Sequence, residues 1–562
     1  MTELVQDRVA ALIAAGIKAA QASGALPDFE MPVVVVERPR QSEHGDYASP
    51  VCLRLAKEAR MSPRDIAVRV VEHMPPSPLV GQVEVAGPGY VNVALDGSWL
   101  ATQVEVVLQA GETFGDLDIG QGKRYQVEFG SANPTGPLHV GFARNVVLGD
   151  TIANVLAAAG FEIEREYYVN DAGSQVRKFG ESVYARYAQA LGRDEPFPED
   201  GYQGDYVAEM GKQAAQRHGD RYLDMPRGEA TRALGGEGIA QVIAEAKQDL
   251  ADLGVVYDTW FHEKGLYESG LFDKMLEKLR GDGYITERDD AVWFTYPEED
   301  VDAVVVRSPQ VIPVPEERPT YLASDIAYVW NKLVERGFDR AIYVWGADHH
   351  GDVPRVKAAT KALGLDPERV VLILYQLVNL QRGGEDVRMS KRRGEFVMLR
   401  ELLDEVGPDP IRFMLLTATA DSTLEFDLDL AVEQSDKNPV YYVQYAHARI
   451  ASILRHAAEL GWDTEAPASV SLLTHESELA LIRKMLELSE IVMLAAVHLA
   501  PHHLTFYAKE LASTFHAFYR DCRVVDAEAP DLTRARLMLV RAARFVLARV
   551  LHLMGMNAPE RM

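Results

Sequence analysis

The stretch from Tyr125 to Val169 limits the possible folds more than any other part of this chain. An apolar run, YQVEF, passes into a Pro/Gly loop; a long helical pattern, ARNVVLGDTIANVLAAAG, follows; and a second strand pattern comes at Glu164–Val169. Strand, loop, helix and strand in that order make a parallel βαβ unit, which places a ligand crevice at the junction after the first strand. The same texture returns at Arg340–Trp345 and Val370–Leu380, two β-rich runs bracketing a helical stretch around Val353–Leu363. A doubly wound, Rossmann-like α/β domain is therefore expected over residues 113–428, with a surface insertion at Gly192–Gly204, helical patterning at Tyr206–His218 and Gly238–Leu253, and a Pro-rich loop at Ser308–Pro319.

Residues 1–112 read differently. An amphipathic helical start leads into short β-rich runs at Val33–Glu37, Val83–Ala86 and Tyr90–Leu95, as in a small α+β module. After about Asp427 strand signals vanish, and residues 429–562 read as an all-α helical bundle. The fold class expected is thus α/β multidomain, with an N-terminal module and a C-terminal bundle on either side of the catalytic-type domain. On the last helix Leu539, Val546, Val550 and Leu553 share one face, while Arg534, Arg541, Arg544 and Arg549 fall on the other. That arginine arc is either a solvated charged face or a nucleic-acid contact.

Composition removes several classes of function. No apolar run approaches the roughly 18–20 residues that span a bilayer, so neither a membrane nor a secretory role is expected. Cys52 and Cys522 are the only cysteines and lack zinc spacing, which suits a reducing cytoplasm. A formal net charge of -26 excludes nonspecific coating of nucleic acid, leaving local basic patches as the only route to such a partner.

Two loops carry the chemistry. Glu128–Gly141, EFGSANPTGPLHVG, lies between strand and helix, where free helix N–H groups can meet phosphate. Some 250 residues later, Arg382–Gly394 reads RGGEDVRMSKRRG, a glycine-bearing loop with five cationic side chains. By itself each is also compatible with an ordinary connector. Together they resemble the class I aminoacyl-tRNA synthetases: His139-Val140-Gly141-Phe142 is similar to their HIGH signature and Arg388-Met389-Ser390-Lys391 to KMSK. More narrowly, GDYASP, ANPTGPLHVG, YVNDAGSQ, YLASDIAY, YVWGADHHG and NPVYYVQYAHARI, in that order, resemble the arginyl-tRNA synthetases.

The resemblance implies two steps, attack of the arginine carboxylate on the α-phosphorus of ATP and transfer of the arginyl group to the terminal adenosine of tRNA(Arg). It implies His139, Ser390 and Lys391 as catalytic groups. Pro137, Leu138, His139, Val140, Gly141, Phe142, Met389 and Lys391 would lie at ATP, and magnesium would enter with ATP. Glu128, Ser131, Asn133, His139, Tyr321, Asp325, Asp348 and His349 would hold arginine, Glu128 and Asp325 as planar acceptors for its guanidinium. Some family members lack the KMSK lysine and carry a compensating lysine just upstream of HIGH; here Lys391 is present and the upstream position is Gly136. Phe142 departs from the pattern, which has histidine there, a donor that phenylalanine cannot replace.

For the tRNA, the resemblance points to His44–Lys57 and Gly87–Leu95 at the elbow and to the C-terminal bundle at the anticodon. Tyr441, Tyr442, Gln444, Tyr445, His447 and Arg449 offer stacking and edge hydrogen bonds, although aromatics at helical spacing also serve as core; Arg541 and Arg544 would contact backbone. Asp348–Asp352, with adjacent histidines, does not make a metal site, so no protein-bound metal is expected. A monomer is expected. Two other readings remain, a noncatalytic tRNA-binding paralogue of the same fold and a small-molecule nucleotidyltransferase.

Overall fold

The computed structural model describes residues 4–39, 41–310, 318–387 and 397–562. The N-terminal helix Val5–Ala22 buries Val9, Ile13 and Ile17 against helices Val51–Ala59 and Pro63–Glu72, and an antiparallel sheet of β1 (Tyr47–Ser49), β2 (Val80–Ala86) and β3 (Tyr90–Leu95) completes the module in the order β1-β3-β2. Val33–Glu37 is not a strand, contrary to expectation. It meets β1 at a single rung, Glu37 with Ala48, and the Val35 and Val36 carbonyls accept instead from Ser49 Oγ at 2.7 Å and Gln6 Nε2 at 2.5 Å. A three-residue edge strand offers too few ladder positions for more. The next helix, Gly97–Ala110, is capped by Asp96 and packs on the C-terminal helices Glu476–Leu486 and Pro530–Leu553.

The central sheet contains β4 (Arg124–Glu128), β5 (Glu162–Val169) and β6 (Thr259–His262). Three antiparallel strands, β7 (Ile285–Arg288), β8 (Ala291–Tyr296) and β9 (Val301–Val306), form a separate small sheet that the sequence reading overlooked, although AVWFTY and VDAVVV alternate as strands do. The chain then returns to the centre with β10 (Arg340–Gly346) and β11 (Val370–Tyr375). The order β11-β10-β4-β5-β6, all parallel, reverses between β4 and β10, and that reversal sets the crevice.

The apolar run at Val370–Leu380 is two strands, β11 and β12 (Val378–Arg382); β12 pairs with β13 (Glu385–Asp386) and β14 (Leu424–Asp427). Buried Arg144 explains the break. Its guanidinium donates to the carbonyls of Gln376 and Ser422 at 2.7 Å and Thr419 at 2.8 Å, taking backbone acceptors that a continuous strand would use.

Helices Ser174–Ala190, Asp205–His218 and Arg227–Asp252 enclose their own small core around Phe179, Tyr187 and Leu234, with residues 192–204 joining the first two. The C-terminal bundle comprises Pro439–Glu459, Glu476–Leu486, Leu488–His498, His502–Asp521 and Pro530–Leu553, and the wheel face Leu539, Val546, Val550 and Leu553 is buried as expected. One side chain ties this bundle to the Rossmann-like domain. Arg412, fully buried, pairs with Asp150 and donates to Met554 O at 2.6 Å and Leu253 O at 3.2 Å.

Candidate active site

At the end of β4 the chain turns through Gly130, whose φ of +82° is open to glycine at little cost. Its N–H donates to Asn145 Oδ1 at 2.6 Å, while Asn145 Nδ2 donates to Val344 O in β10 at 2.8 Å. Asn145 thus bridges the two strands where the sheet reverses, holding the crevice at a set width. On the next turns of the same helix, Gly149 lets Phe129 pack directly on the backbone, where any Cβ would collide with the ring. Neither residue was singled out from sequence; the available signal was a polar pair, Arg144-Asn145, inside an otherwise apolar helix.

His139 caps the helix Val140–Ala158, its Nδ1 accepting from Gly141 N at 3.2 Å. Pro137 precedes it, partly exposed. Leu138 and Val140 turn their side chains into the core. Phe142 meets the His139 ring edge-on, with centroids 4.8 Å apart. The aromatic ring in the fourth signature position therefore buttresses the first.

Met389, Ser390 and Lys391 lie outside the described residues. The chain just after them does not. Val140 N donates to Val397 O at 3.0 Å, Leu399 N donates to Leu138 O at 2.8 Å, and His139 bridges Met398. The first motif and the stretch 397–399 that follows the second are therefore laced together by backbone hydrogen bonds.

Beside them lies a group of acids. Glu128, 4% exposed, pairs with the ammonium of Lys332 and accepts from Ser131 Oγ at 3.3 Å. Asp325 lies on the helix Tyr321–Trp330, one turn from Tyr321 as the four-residue spacing predicts. It has no hydrogen-bond or ion-pair partner among the described residues. Burial, reinforced by Glu128, Glu263 and Asp352, holds its carboxyl well above the usual range. Burial likewise raises Glu128, against the pull of Lys332. Glu263, also buried, accepts from Ser324 Oγ at 2.5 Å. A cavity of about 260 Å³ opens next to this group, lined by Asn170, Gln175, Glu263, Tyr267, Arg307 and Tyr321 among others.

Asn133 is exposed and donates to Gln175 Oε1 at 2.9 Å, reaching the edge of that cavity. Asp348 and His349 stand at the carboxyl end of β10, Asp348 exposed and His349 paired with Asp352 at 3.2 Å. No group of three or more His, Cys, Asp or Glu able to hold a metal is found among the described residues. Tyr206 was missed in the sequence; its hydroxyl donates to Thr135 O at 2.7 Å and steadies the first loop from the helical insertion.

In the C-terminal bundle, Tyr441 and Tyr445 stack at 5.8 Å, and Arg449 lies over Tyr445 at 4.6 Å. Tyr445 and Arg449 line a cavity of about 990 Å³ together with His456, Tyr519, Arg520 and Arg523. Two of the six candidates there are structural instead: Gln444 donates to Asp409 and to Asn557 O, and His447 bonds Pro559 O, both buried. The terminal arginine arc also turns inward. Arg541 pairs with Glu465, Arg544 with Glu560, and Arg549 with Asp116 across to the preceding domain. Glu465 and Asp116 come from distant parts of the chain, which a helical wheel cannot show, and at the cavity Arg520 and Arg523 keep mostly exposed side chains while Arg449 lies part-buried over Tyr445.

Comparison with known proteins places these features in a family. Three family models match: "Arginyl tRNA synthetase N terminal domain" over residues 7–95, "tRNA synthetases class I (R), catalytic domain" over 103–189 and 237–414, and "DALR anticodon binding domain" over 443–562. The chain is 47% identical to an arginine–tRNA ligase of Dehalococcoides mccartyi (strain CBDB1), covering 97% of this chain and 96% of that one. It is 48% identical to one from Moorella thermoacetica, over 99% and 98% of the two chains. The solved arginyl-tRNA synthetase of Thermus thermophilus shares its fold, with a TM-score of 0.75 at 24% identity, over 99% of this chain and 100% of that one. At these identities over nearly the whole of both chains, and with three family models matching along its length, the chain belongs to the arginyl-tRNA synthetases, the arginine–tRNA ligases of the class I aminoacyl-tRNA synthetase family.

Proposed function

We propose that this chain activates L-arginine with ATP to arginyl-adenylate and transfers the arginyl group to the 3′-terminal adenosine of tRNA(Arg), working as a cytoplasmic monomer. The observation that carries the reading is Asp325, a carboxylate among carboxylates that makes no ion pair among the described residues and feels only the more distant Lys332 as an opposing charge. A guanidinium supplies the missing charge and the planar donors. Glu128, Ser131, Tyr321 and Asp325 then hold the arginine side chain, and Asn133, His139, Asp348 and His349 its α-amino end. A noncatalytic relative would have no use for such a group. Arginine-dependent pyrophosphate exchange tests the reading, because it requires both substrates at one site.

His139 and the first turn of its helix lie at the nucleotide, with Pro137, Gly141 and Phe142 around it. Ser390, Met389 and Lys391 come from the second loop, and magnesium is held by the phosphates of ATP. Neither step needs a protein nucleophile; positioning and charge stabilisation of the oxygens supply the catalysis. Lys391→Ala is expected to slow adenylate formation by roughly 10²–10³-fold, the usual effect of losing one preorganised donor, read in pyrophosphate exchange. Near-normal exchange would remove Lys391 from the role. Phe142→His is expected to tighten ATP modestly, because it restores a donor while leaving an aromatic ring against His139. A variant with unchanged KM for ATP and unchanged turnover would show that Phe142 costs nothing.

For the tRNA, Tyr445 and Arg449 at the large cavity, with Tyr441 stacked on Tyr445, form the anticodon surface, where bases stack on aromatic faces. Arg541 and Arg544, already paired within the chain, contribute at most to its rim. Binding should weaken steeply with salt, since each released counterion adds about -0.7 to the log–log slope for single-stranded contacts. Arg449→Ala should flatten that slope; an unchanged slope would move the surface elsewhere.

A further inference from the structure

Lys332 is a lysine buried completely beside the acidic pocket, and neither motif contains it. It follows Asp325 by seven residues and Tyr328 by four, so all three project from one face of the helix and its π-helical continuation Asn331–Glu335. Its ammonium is enclosed on three sides: it donates to Glu128 Oε2, and it lies 3.9 Å from the Tyr328 ring centroid and 3.7 Å from that of Tyr343. Burial pulls its ammonium below the usual range, opposed by Glu128 and Glu166.

We infer that Lys332 is a positioning residue for the guanidinium pocket, fixing Glu128 through Oε2 so that Oε1 faces substrate and offsetting the repulsion between Glu128 and Asp325. This rests on the arginine reading above. The geometry supports it in two ways. The second oxygen of Glu128 carries only the long 3.3 Å contact from Ser131, so it retains an acceptor site for an incoming N–H. Asp325, by contrast, makes no ion pair and feels Lys332 only at a distance, so the pocket holds one acid directly paired and oriented and one that a substrate cation would pair. Without Lys332 the two carboxylates would compete for a single guanidinium and repel each other across the pocket.

The experiment is steady-state pyrophosphate exchange by full-length Lys332→Met protein, with arginine and ATP varied separately in the presence of tRNA. The expected result is a rise of at least about tenfold in KM for arginine with KM for ATP and kcat nearly unchanged. An unchanged arginine KM, or arginine and ATP constants rising together as the site loosens generally, would overturn the inference. If Lys332→Met does not fold, Lys332→Gln, which keeps a donor toward Glu128 and removes only the charge, is assayed in the same way. Its arginine KM should rise in the same selective way, and a parental value would overturn the assignment. Parent protein that shows no arginine-dependent exchange at all would instead remove the proposed function.

Discussion

Asp325→Asn protein is expected to lose arginine-dependent pyrophosphate exchange by roughly 10²–10³-fold and, at neutral pH, to unfold at a higher temperature than the parent. The loss follows from removing an unpaired anion that a buried guanidinium would meet, since truncating one partner of such a pair typically costs about 2–5 kcal/mol. The gain follows from the opposite side of the same fact. Asp325 is pushed well above the usual carboxyl range by burial and by Glu128, Glu263 and Asp352, with Lys332 opposing. A folded-state pKa above the unfolded value favours the protonated fold, so this group's destabilisation is absent below the unfolded pKa and grows as pH rises through the folded one. The stability advantage of Asn should therefore vanish in acid. Arginine binding favours the ionised form, so it should release protons and tighten as pH rises through that range, whereas ATP binding should not follow the same curve. Calorimetry in buffers of different ionisation enthalpy measures the release; equal stability of the two proteins at neutral pH would contradict the account of Asp325.

Arg412→Met is expected to cost about 3–5 kcal/mol of stability. The guanidinium is fully buried, pairs with Asp150, and satisfies the Met554 and Leu253 carbonyls. Methionine fills the volume but leaves two carbonyls without that donor and Asp150 with the long contacts from Arg165 at 3.3 Å and Asn154 at 3.4 Å. Because Asp150 and Asn154 sit on the helix that His139 caps, and Asn154 bonds Leu553 O at 3.2 Å, the same change should loosen the C-terminal tail from the catalytic helix. Urea unfolding reads the first effect, and protease cleavage between Leu553 and Met562 reads the second. A midpoint within experimental error of the parent would show that Arg412 does not hold the two domains together.

The parts of this protein readable in its sequence are those governed by local rules. The alternating run at Tyr125–Phe129, the continuous β-rich apolar run at Arg340–Trp345 and the helical run between 140 and 158 predict β4, β10 and the helix joining β4 to β5, and with them the crevice. The last helix shows its buried face for the same reason. What local rules miss are partners brought from afar. The Val370–Leu380 run divides because Arg144 takes its carbonyls, and the arginine arc of the final helix closes on Glu465, Glu560 and Asp116. Lys332 was invisible as a site residue because a lone lysine ten residues into an apolar helical stretch looks like a solvated charge until Glu128, Tyr328 and Tyr343 are seen around it. Glu128 and Asp325 were identified by motif resemblance, but only the structure distinguishes the acid that is already ion-paired from the one that is not.

The central claim is that the acidic pocket beside His139 selects arginine for activation and that the product is charged tRNA. The most direct measurement is incorporation of labelled arginine into tRNA by the purified full-length chain, run alongside arginine-dependent pyrophosphate exchange with and without tRNA. The account predicts acid-precipitable arginyl-tRNA, exchange that depends on arginine, and no comparable product with citrulline, which is similar in shape but lacks the positive charge. Charging with citrulline as effective as with arginine, or exchange indifferent to which amino acid is supplied, would contradict it.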